Sequence, residues 1–189
     1  MFQELALLTK SPLRVKVLNF FVRQPGVLAN AREVASVLGA SQTAVAKELI
    51  ALHKLNILQK RSVSRVPVYR VDERDPWFKP LQTFLEETTT PTDSTIAKAF
   101  RGLSGVTRLV IAGLLVGETK SPVDLLLVCK NPKDKRLGKI VKKLEAEAAL
   151  PLRYAVLGIE EYHERKQAYD RLLRDIYEYG HRTILERGV

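Results

Sequence analysis

The spacing of hydrophobic positions in the first 88 residues changes from a helical period to a strand period and back. Apolar residues recur at helical spacing as far as Leu55, take on a β-rich pattern in the next stretch, and return to helical spacing from Pro76. The pattern predicts these elements in order: helices over 12–23, 31–38 and 42–55, strands over 57–61 and 66–71 joined through residues 62–65, and a helix over 76–87.

Short-range signals mark the ends of these predicted helices. Ser11, Asn30 and Ser41 each precede a helix and carry the side-chain oxygen that an N-cap requires. Gly39 and Asn56 follow helices and suit the left-handed conformation of a C-terminal cap. The first half of the chain is therefore predicted to run helix, helix, tight turn, helix, hairpin, helix.

The second half of the chain alternates predicted strands with predicted helices. The polar stretch from Thr88 to Ser94 lacks periodicity and predicts a linker. We accordingly expect domains over 1–88 and 95–189, joined by a linker over 89–94. The predicted elements are strands over 106–112, 123–129 and 152–157 and helices over 94–103, 132–150 and 159–187. This alternation indicates a small α/β domain, within a chain of the α+β class.

Composition adds a large positive charge to an otherwise ordinary globular chain. The 189 residues include 31 Lys and Arg against 21 Asp and Glu, a net charge of +10. Residues 41–70 alone hold six Lys and Arg against a single Glu. A surplus concentrated in this way favours a polyanionic partner over a neutral one.

The remaining composition indicates a cytoplasmic protein without a membrane partner. Cys129 is the single cysteine and cannot form an internal disulfide, which favours a reducing compartment. The longest apolar run, 109–117, is far shorter than the ~20 residues that span a bilayer. The first ten residues also depart from the pattern of a secretory signal.

Residues 30–62 contain the most specific pattern in the chain. A short helix and a glycine turn precede SQTAVAKELIALHKLNIL, which fits the pattern SQxxVxxxLxxLxxxxIL, and a basic segment follows. This arrangement resembles the winged helix-turn-helix transcriptional regulators of the ArsR/MarR type, over roughly residues 10–88. The resemblance implies a domain that binds double-stranded DNA with its third helix and wing, and that acts as a two-fold homodimer.

The third predicted helix can bury one face and offer the other to base edges in the major groove. Val45, Leu49 and Leu52 form its apolar face. The candidate DNA-binding residues are Ser41, Gln42, Thr43, Ala46 and Lys47 on this helix and Lys60, Arg61 and Arg65 in the wing. The wing residues suit contacts to the DNA backbone or minor groove, which position a protein without specifying sequence.

Candidate dimer contacts lie at both ends of this first domain. The segment before Ser11 is a candidate dimer arm. An aromatic-rich stretch in the last predicted helix is a candidate for packing between subunits or domains, and it comprises Trp77, Phe78, Leu81, Phe84 and Leu85.

The second domain resembles the minimal nucleotidyltransferase fold over about residues 94–180. Active members carry Gly-Ser at the end of one strand and Asp-x-Asp on the next, where the two aspartates bind Mg²⁺. Here the first strand ends in Ala112-Gly113-Leu114 and the second carries Pro122-Val123-Asp124. The serine and one aspartate are missing, so we expect no catalytic residues and no transferase activity. Candidates for nucleotide binding are Gly113, Lys120 and Asp124, with Arg108 and Lys130 as further anion contacts.

The predicted function is that of a DNA-binding transcriptional regulator whose second domain serves sensing or assembly. No spacing of His and Cys predicts a metal site, and no cofactor is expected, although a nucleotide or Mg²⁺ at Asp124 stays open. Two other functions also stay open: an active nucleotidyltransferase targeted by the winged helix, and a protein-interaction scaffold.

Overall fold

The computed structural model describes residues 11–118 and 120–187, so the expected dimer arm before Ser11 lies outside the described residues. The chain is mixed α+β and divides into two compact units. Within the described residues, the first unit comprises 11–90 with Glu145–Pro151, and the second comprises Pro91–Leu144 with 152–187. None of the helices in these residues is both long and apolar enough to cross a membrane.

The first unit has the element order that the sequence predicts. Its elements are α1 (Pro12–Val22), α2 (Ala31–Leu38), α3 (Gln42–Lys54), β1 (Leu58–Val63), β2 (Val66–Val71) and α4 (Phe78–Thr89). The structure confirms the roles expected of the cap residues Ser11, Asn30, Gly39, Ser41 and Asn56. The side chain of Ser41, for example, accepts a hydrogen bond from the backbone N–H of Ala44 at 3.3 Å. Local capping thus sets where α3 begins.

The apolar face of α3 packs into the core of the first unit. Val45, Leu49 and Leu52 are at most 1% exposed, as predicted. The aromatic-rich stretch at α4 also packs largely into this core, where Phe78 and Leu85 are buried and Trp77 and Leu81 are partly buried. Phe84 is 42% exposed and is the member of that stretch that remains available to a partner.

The β1–β2 hairpin is tighter than predicted. β1 continues to Val63, which pairs with Val66, so the connection is Ser64-Arg65 and not residues 62–65. Both turn residues have positive φ, 49° and 67°. Two such residues in succession match the right-handed twist of the flanking strands, which lets the ladder extend further than the polar residues suggest.

The second unit is built around a four-stranded sheet. Its elements are α5 (Asp93–Phe100), β3 (Val106–Ala112), β4 (Leu125–Cys129), α6 (Arg136–Ala148), β5 (Tyr154–Gly158), α7 (Ile159–Gln167), α8 (Arg171–Glu178) and β6 (His181–Glu186). The strand order is β5-β4-β3-β6, with β4 and β5 parallel and the other pairs antiparallel. Residues 145–148, at the end of α6, group with the first unit.

The predicted helix over 159–187 is wrong, because the structure divides this stretch into α7, α8 and β6. Tyr169 is left-handed at φ 51°, and the Asp170 side chain caps α8 by accepting from the backbone N–H of Leu173 at 3.3 Å. Beyond Gly180 the chain pairs with β3 along the edge of the sheet. Apolar residues recur at helical spacing through this stretch, so the pattern alone predicted one continuous helix and gave no sign of the breaks.

The predicted linker is also shorter in the structure. Thr88 and Thr89 continue α4, and their hydroxyls donate to the carbonyls of Phe84 and Leu85, both at 2.6 Å. Thr92, rather than Ser94, caps the next helix. The division between the two units falls at Thr90, inside the predicted linker.

We predict that the double substitution Ser64→Asn with Arg65→Gly raises the free energy of unfolding by about 1 kcal/mol, because Asn and Gly adopt a positive φ more readily than Ser and Arg. Thermal and urea denaturation of the full chain measure the change. Ser62→Gly, placed within β1, serves as the control and should lower stability. A double variant no more stable than the parent would contradict a strained turn.

Candidate nucleic-acid interface

The outward face of α3 lies opposite its buried face. Successive residues of an α-helix are rotated by about 100°, which places Thr43 and Lys47 directly across from Val45, Leu49 and Leu52. Thr43 and Lys47 are exposed, and so are Ser41 and Gln42 at the start of the helix, whereas Ala46 is partly buried. The structure therefore exposes Ser41, Gln42, Thr43 and Lys47, of which Thr43 and Lys47 share the face opposite the buried one.

Two further residues belong to this exposed face and escaped the sequence analysis. Ile50 and Lys54 lie seven and eleven positions after Thr43, which returns them to the same side of the helix. Ile50 is 48% exposed and Lys54 is also exposed. Helical periodicity extended past Lys47 would have identified both. We call Thr43, Lys47, Ile50 and Lys54 the outer stripe of α3.

Glu48, the single acidic residue among residues 41–70, is turned away from the outer stripe. Its carboxylate accepts a hydrogen bond from Ser11 Oγ at 2.6 Å and from Arg14 Nε at 2.7 Å. The Glu48 side chain is 15% exposed and is paired with the Arg14 guanidinium. This contact holds α3 against α1 and pairs the single carboxylate of residues 41–70 with the Arg14 guanidinium, away from the outer stripe.

The hairpin distributes its basic residues over both faces and the turn. Neighbouring residues of a strand point to opposite faces, so the exposed side chains of Lys60 and Arg61 leave the ribbon in opposite directions. Arg65 lies in the turn and is exposed. His53 Nδ1 donates to the carbonyl of Leu58 at 2.9 Å, which ties the start of β1 to the end of α3. The predicted wing residues thus share one hairpin but not one face.

These basic side chains are available to an external anion. Within residues 11–118 and 120–187, no ion pair involves Lys47, Lys60, Arg61 or Arg65. By contrast, the neighbouring Arg70 is engaged, because its Nε and Nη2 both donate to Gln59 Oε1 at 3.2 Å. An unpaired, solvated cation can contact a phosphate without first breaking an internal pair.

The candidate nucleotide-binding residues of the second unit have a different arrangement. Asp124 is completely buried, and its carboxylate accepts from the backbone N–H groups of Leu114 at 2.7 Å and Arg153 at 2.8 Å. The Arg153 guanidinium adds a further bond at 2.9 Å. Gly113 lies against this carboxylate with φ 53°, and Lys120 is exposed in the following loop. The structure brings Gly113 and Asp124 together around an internal ion pair.

Of the two further anion candidates in the second unit, Lys130 is exposed, whereas Arg108 is engaged within the unit. Arg108 pairs with Glu186, donates to the Tyr177 hydroxyl at 3.4 Å and lies 5.2 Å from the ring centre of Tyr162. Burial raises the pKa of the Tyr162 phenol, which keeps it neutral. Cys129 is buried, and burial raises the pKa of its thiol. Among the described residues, no cluster of His, Cys, Asp and Glu could hold a metal ion.

Comparisons with known proteins give no match to a family model, to a curated protein or to a solved structure. Any functional conclusion therefore depends on the positions, charges and contacts of the residues themselves. Of the two candidate surfaces, the outer stripe and hairpin expose unpaired cations, whereas Asp124 is buried and paired.

We predict that Gly113→Ala lowers the free energy of unfolding by about 2 kcal/mol or more, because a Cβ there has no room. It would lie 2.8 Å from the carbonyl oxygen of Val123 and closer still to the carboxylate of Asp124. Gly117→Ala is the matched control, since Gly117 also has positive φ but open space around it. That change should cost only about 1 kcal/mol of conformational strain. Equal losses in urea denaturation would contradict the close packing of Gly113 on Asp124.

Proposed function

We propose that the protein binds double-stranded DNA through its first unit and acts as a transcriptional regulator of the winged helix-turn-helix type. In this proposal α3 enters the major groove with its outer stripe, and the β1–β2 hairpin contacts the flanking backbone. The observation that carries the proposal is a set of exposed cations on α3 and the hairpin that form no ion pair with the residues the structure describes; those on α3 lie opposite its buried apolar face.

The chemistry of the exposed residues suits different parts of the duplex. Gln42 and Thr43, near the start of α3, have short polar side chains that can bond base edges or phosphates. Lys47 can reach a guanine edge or a phosphate, and the hairpin arginines suit phosphates. The net charge of +10 adds long-range attraction that steers the protein toward a polyanion.

The proposal includes a homodimer on paired half-sites, since a two-fold protein matches a two-fold operator. Phe84 is the most accessible residue of the aromatic-rich stretch at α4 and is its best candidate for a contact between subunits. The other four residues of that stretch contribute to the core of the first unit.

For the second unit we propose a role in sensing or assembly and no nucleotide transfer. The Asp124 carboxylate is buried and satisfied by Leu114 and Arg153, which favours a structural role over metal binding. Incubation with Mg²⁺ and labelled nucleoside triphosphates tests this part directly. Labelling that Asp124→Asn abolishes would favour the enzyme instead.

We predict that the full chain binds duplex DNA with an affinity that falls steeply as salt rises, because binding releases counterions from the phosphates. The double variant Lys47→Ala with Arg61→Ala should bind about ten- to a hundredfold more weakly and should lower the salt slope by about two. Fluorescence anisotropy with a labelled duplex across a salt series gives both quantities.

The matched control removes two exposed lysines of the second unit, Lys98→Ala with Lys166→Ala. This variant loses the same net charge and should retain most of the affinity, since neither lysine lies on the proposed interface. If the two double variants lost the same affinity for the duplex, net charge alone would account for binding. That result would contradict the assignment of the interface to α3 and the hairpin.

A further inference from the structure

Ile50 is the apolar member of the outer stripe, whose other members are Thr43, Lys47 and Lys54. It is a large aliphatic side chain, 48% exposed, at the centre of the outer stripe of α3. Lys47 precedes it by one helical turn and Lys54 follows it by one turn, and both are exposed. Single exposed aliphatic residues are common on protein surfaces, so the position of Ile50 between two lysines of the proposed interface, and not its exposure alone, bears on what it contacts there.

We infer that Ile50 recognises the 5-methyl group of a thymine in the major groove, and that the preferred duplex carries a thymine at the position it faces. This inference rests on the proposed function and names part of the sequence that α3 reads. The thymine methyl is the apolar group that the major groove presents, and aliphatic side chains contact it. It is therefore the feature of DNA that complements an isoleucine flanked by lysines.

The charges around Ile50 argue against a second copy of this chain as the group that covers it. A two-fold contact through this stripe would bring Lys47 and Lys54 of one subunit close to the same residues of the other. The nearest carboxylate on α3, that of Glu48, is already paired with Arg14 and is turned toward α1. Like charges facing one another oppose such a contact, whereas phosphates on either side of a groove attract both lysines.

The spacing of the stripe also limits where the thymine lies. Ile50 follows Lys47 by three residues, or about 4.5 Å along the helix axis. Successive base pairs are separated by about 3.4 Å, so an α3 that lies along the groove would place the two side chains at the same base step or at adjacent steps. We therefore expect the thymine next to the guanine or phosphate that Lys47 contacts.

The test uses deoxyuridine, which differs from thymidine by the 5-methyl group alone. A duplex site is first obtained by selecting bound sequences from random duplexes with the full-length protein. Each thymine of that site is then replaced in turn by deoxyuridine, and affinity is measured by anisotropy. At one thymine per half-site, we expect the replacement to weaken binding about three- to tenfold, the scale of one buried methyl group.

The substitution Ile50→Ala should abolish this discrimination, so that it binds the thymine and deoxyuridine duplexes equally. Ile50→Val, which retains a branched side chain, should restore part of the difference. Leu55→Ala is the matched control: Leu55 is 60% exposed at the end of α3 but off the outer stripe, and its loss should leave the thymine preference intact. Thermal denaturation of each variant verifies that the fold is retained.

The outcomes separate the inference from the proposed function. The parent protein could bind the selected duplex in a salt-dependent way and yet show no thymine at which Ile50→Ala removes the loss of affinity caused by deoxyuridine. That result overturns the inference and leaves the proposed function intact. A change in oligomeric state of Ile50→Ala, with the thymine preference unchanged, overturns it in favour of a contact between copies. Absence of duplex binding by the parent protein overturns both.

Discussion

Burial of one face of α3 is the constraint on which the proposed interface depends. Val45, Leu49 and Leu52 are at most 1% exposed, and fully burying such side chains contributes about 1.5–3 kcal/mol each. A rotation of the helix by one position would expose this face and drive Lys47 toward the core. The hydrophobic contacts therefore decide which side chains of α3 face solvent. The outer stripe is exposed because the opposite face is packed in the core.

A single ion pair complements this hydrophobic constraint. Glu48 follows Lys47 directly in sequence and would cancel part of its charge if it lay on the outer stripe. Its contacts with Ser11 and Arg14 instead direct the carboxylate toward α1. Packing and electrostatics thus act in the same direction, since the bond that holds α3 against α1 also directs the single carboxylate of residues 41–70 away from the outer stripe.

In the second unit, the carboxylate that the sequence offered as a nucleotide-binding candidate is paired within the fold. Asp124 is fully buried and accepts bonds from Leu114 and Arg153. Leaving a buried carboxylate without such donors would be costly, so these bonds stabilise the loop after β3. The close approach of Gly113 reflects the same packing, because no side chain fits between its backbone and the carboxylate.

Features that depend on neighbouring residues could be predicted from the amino-acid sequence: the caps of α2 and α3, the bounds of β2 and β3, and the apolar face of α3. These follow from propensity and periodicity, which act over a few positions. Three further features emerge in the folded chain: residues 181–186 form an edge strand, Arg153 is the partner of Asp124, and Glu145–Pro151 groups with the first unit. Each of these depends on contacts between residues far apart in the chain, which local patterns do not encode.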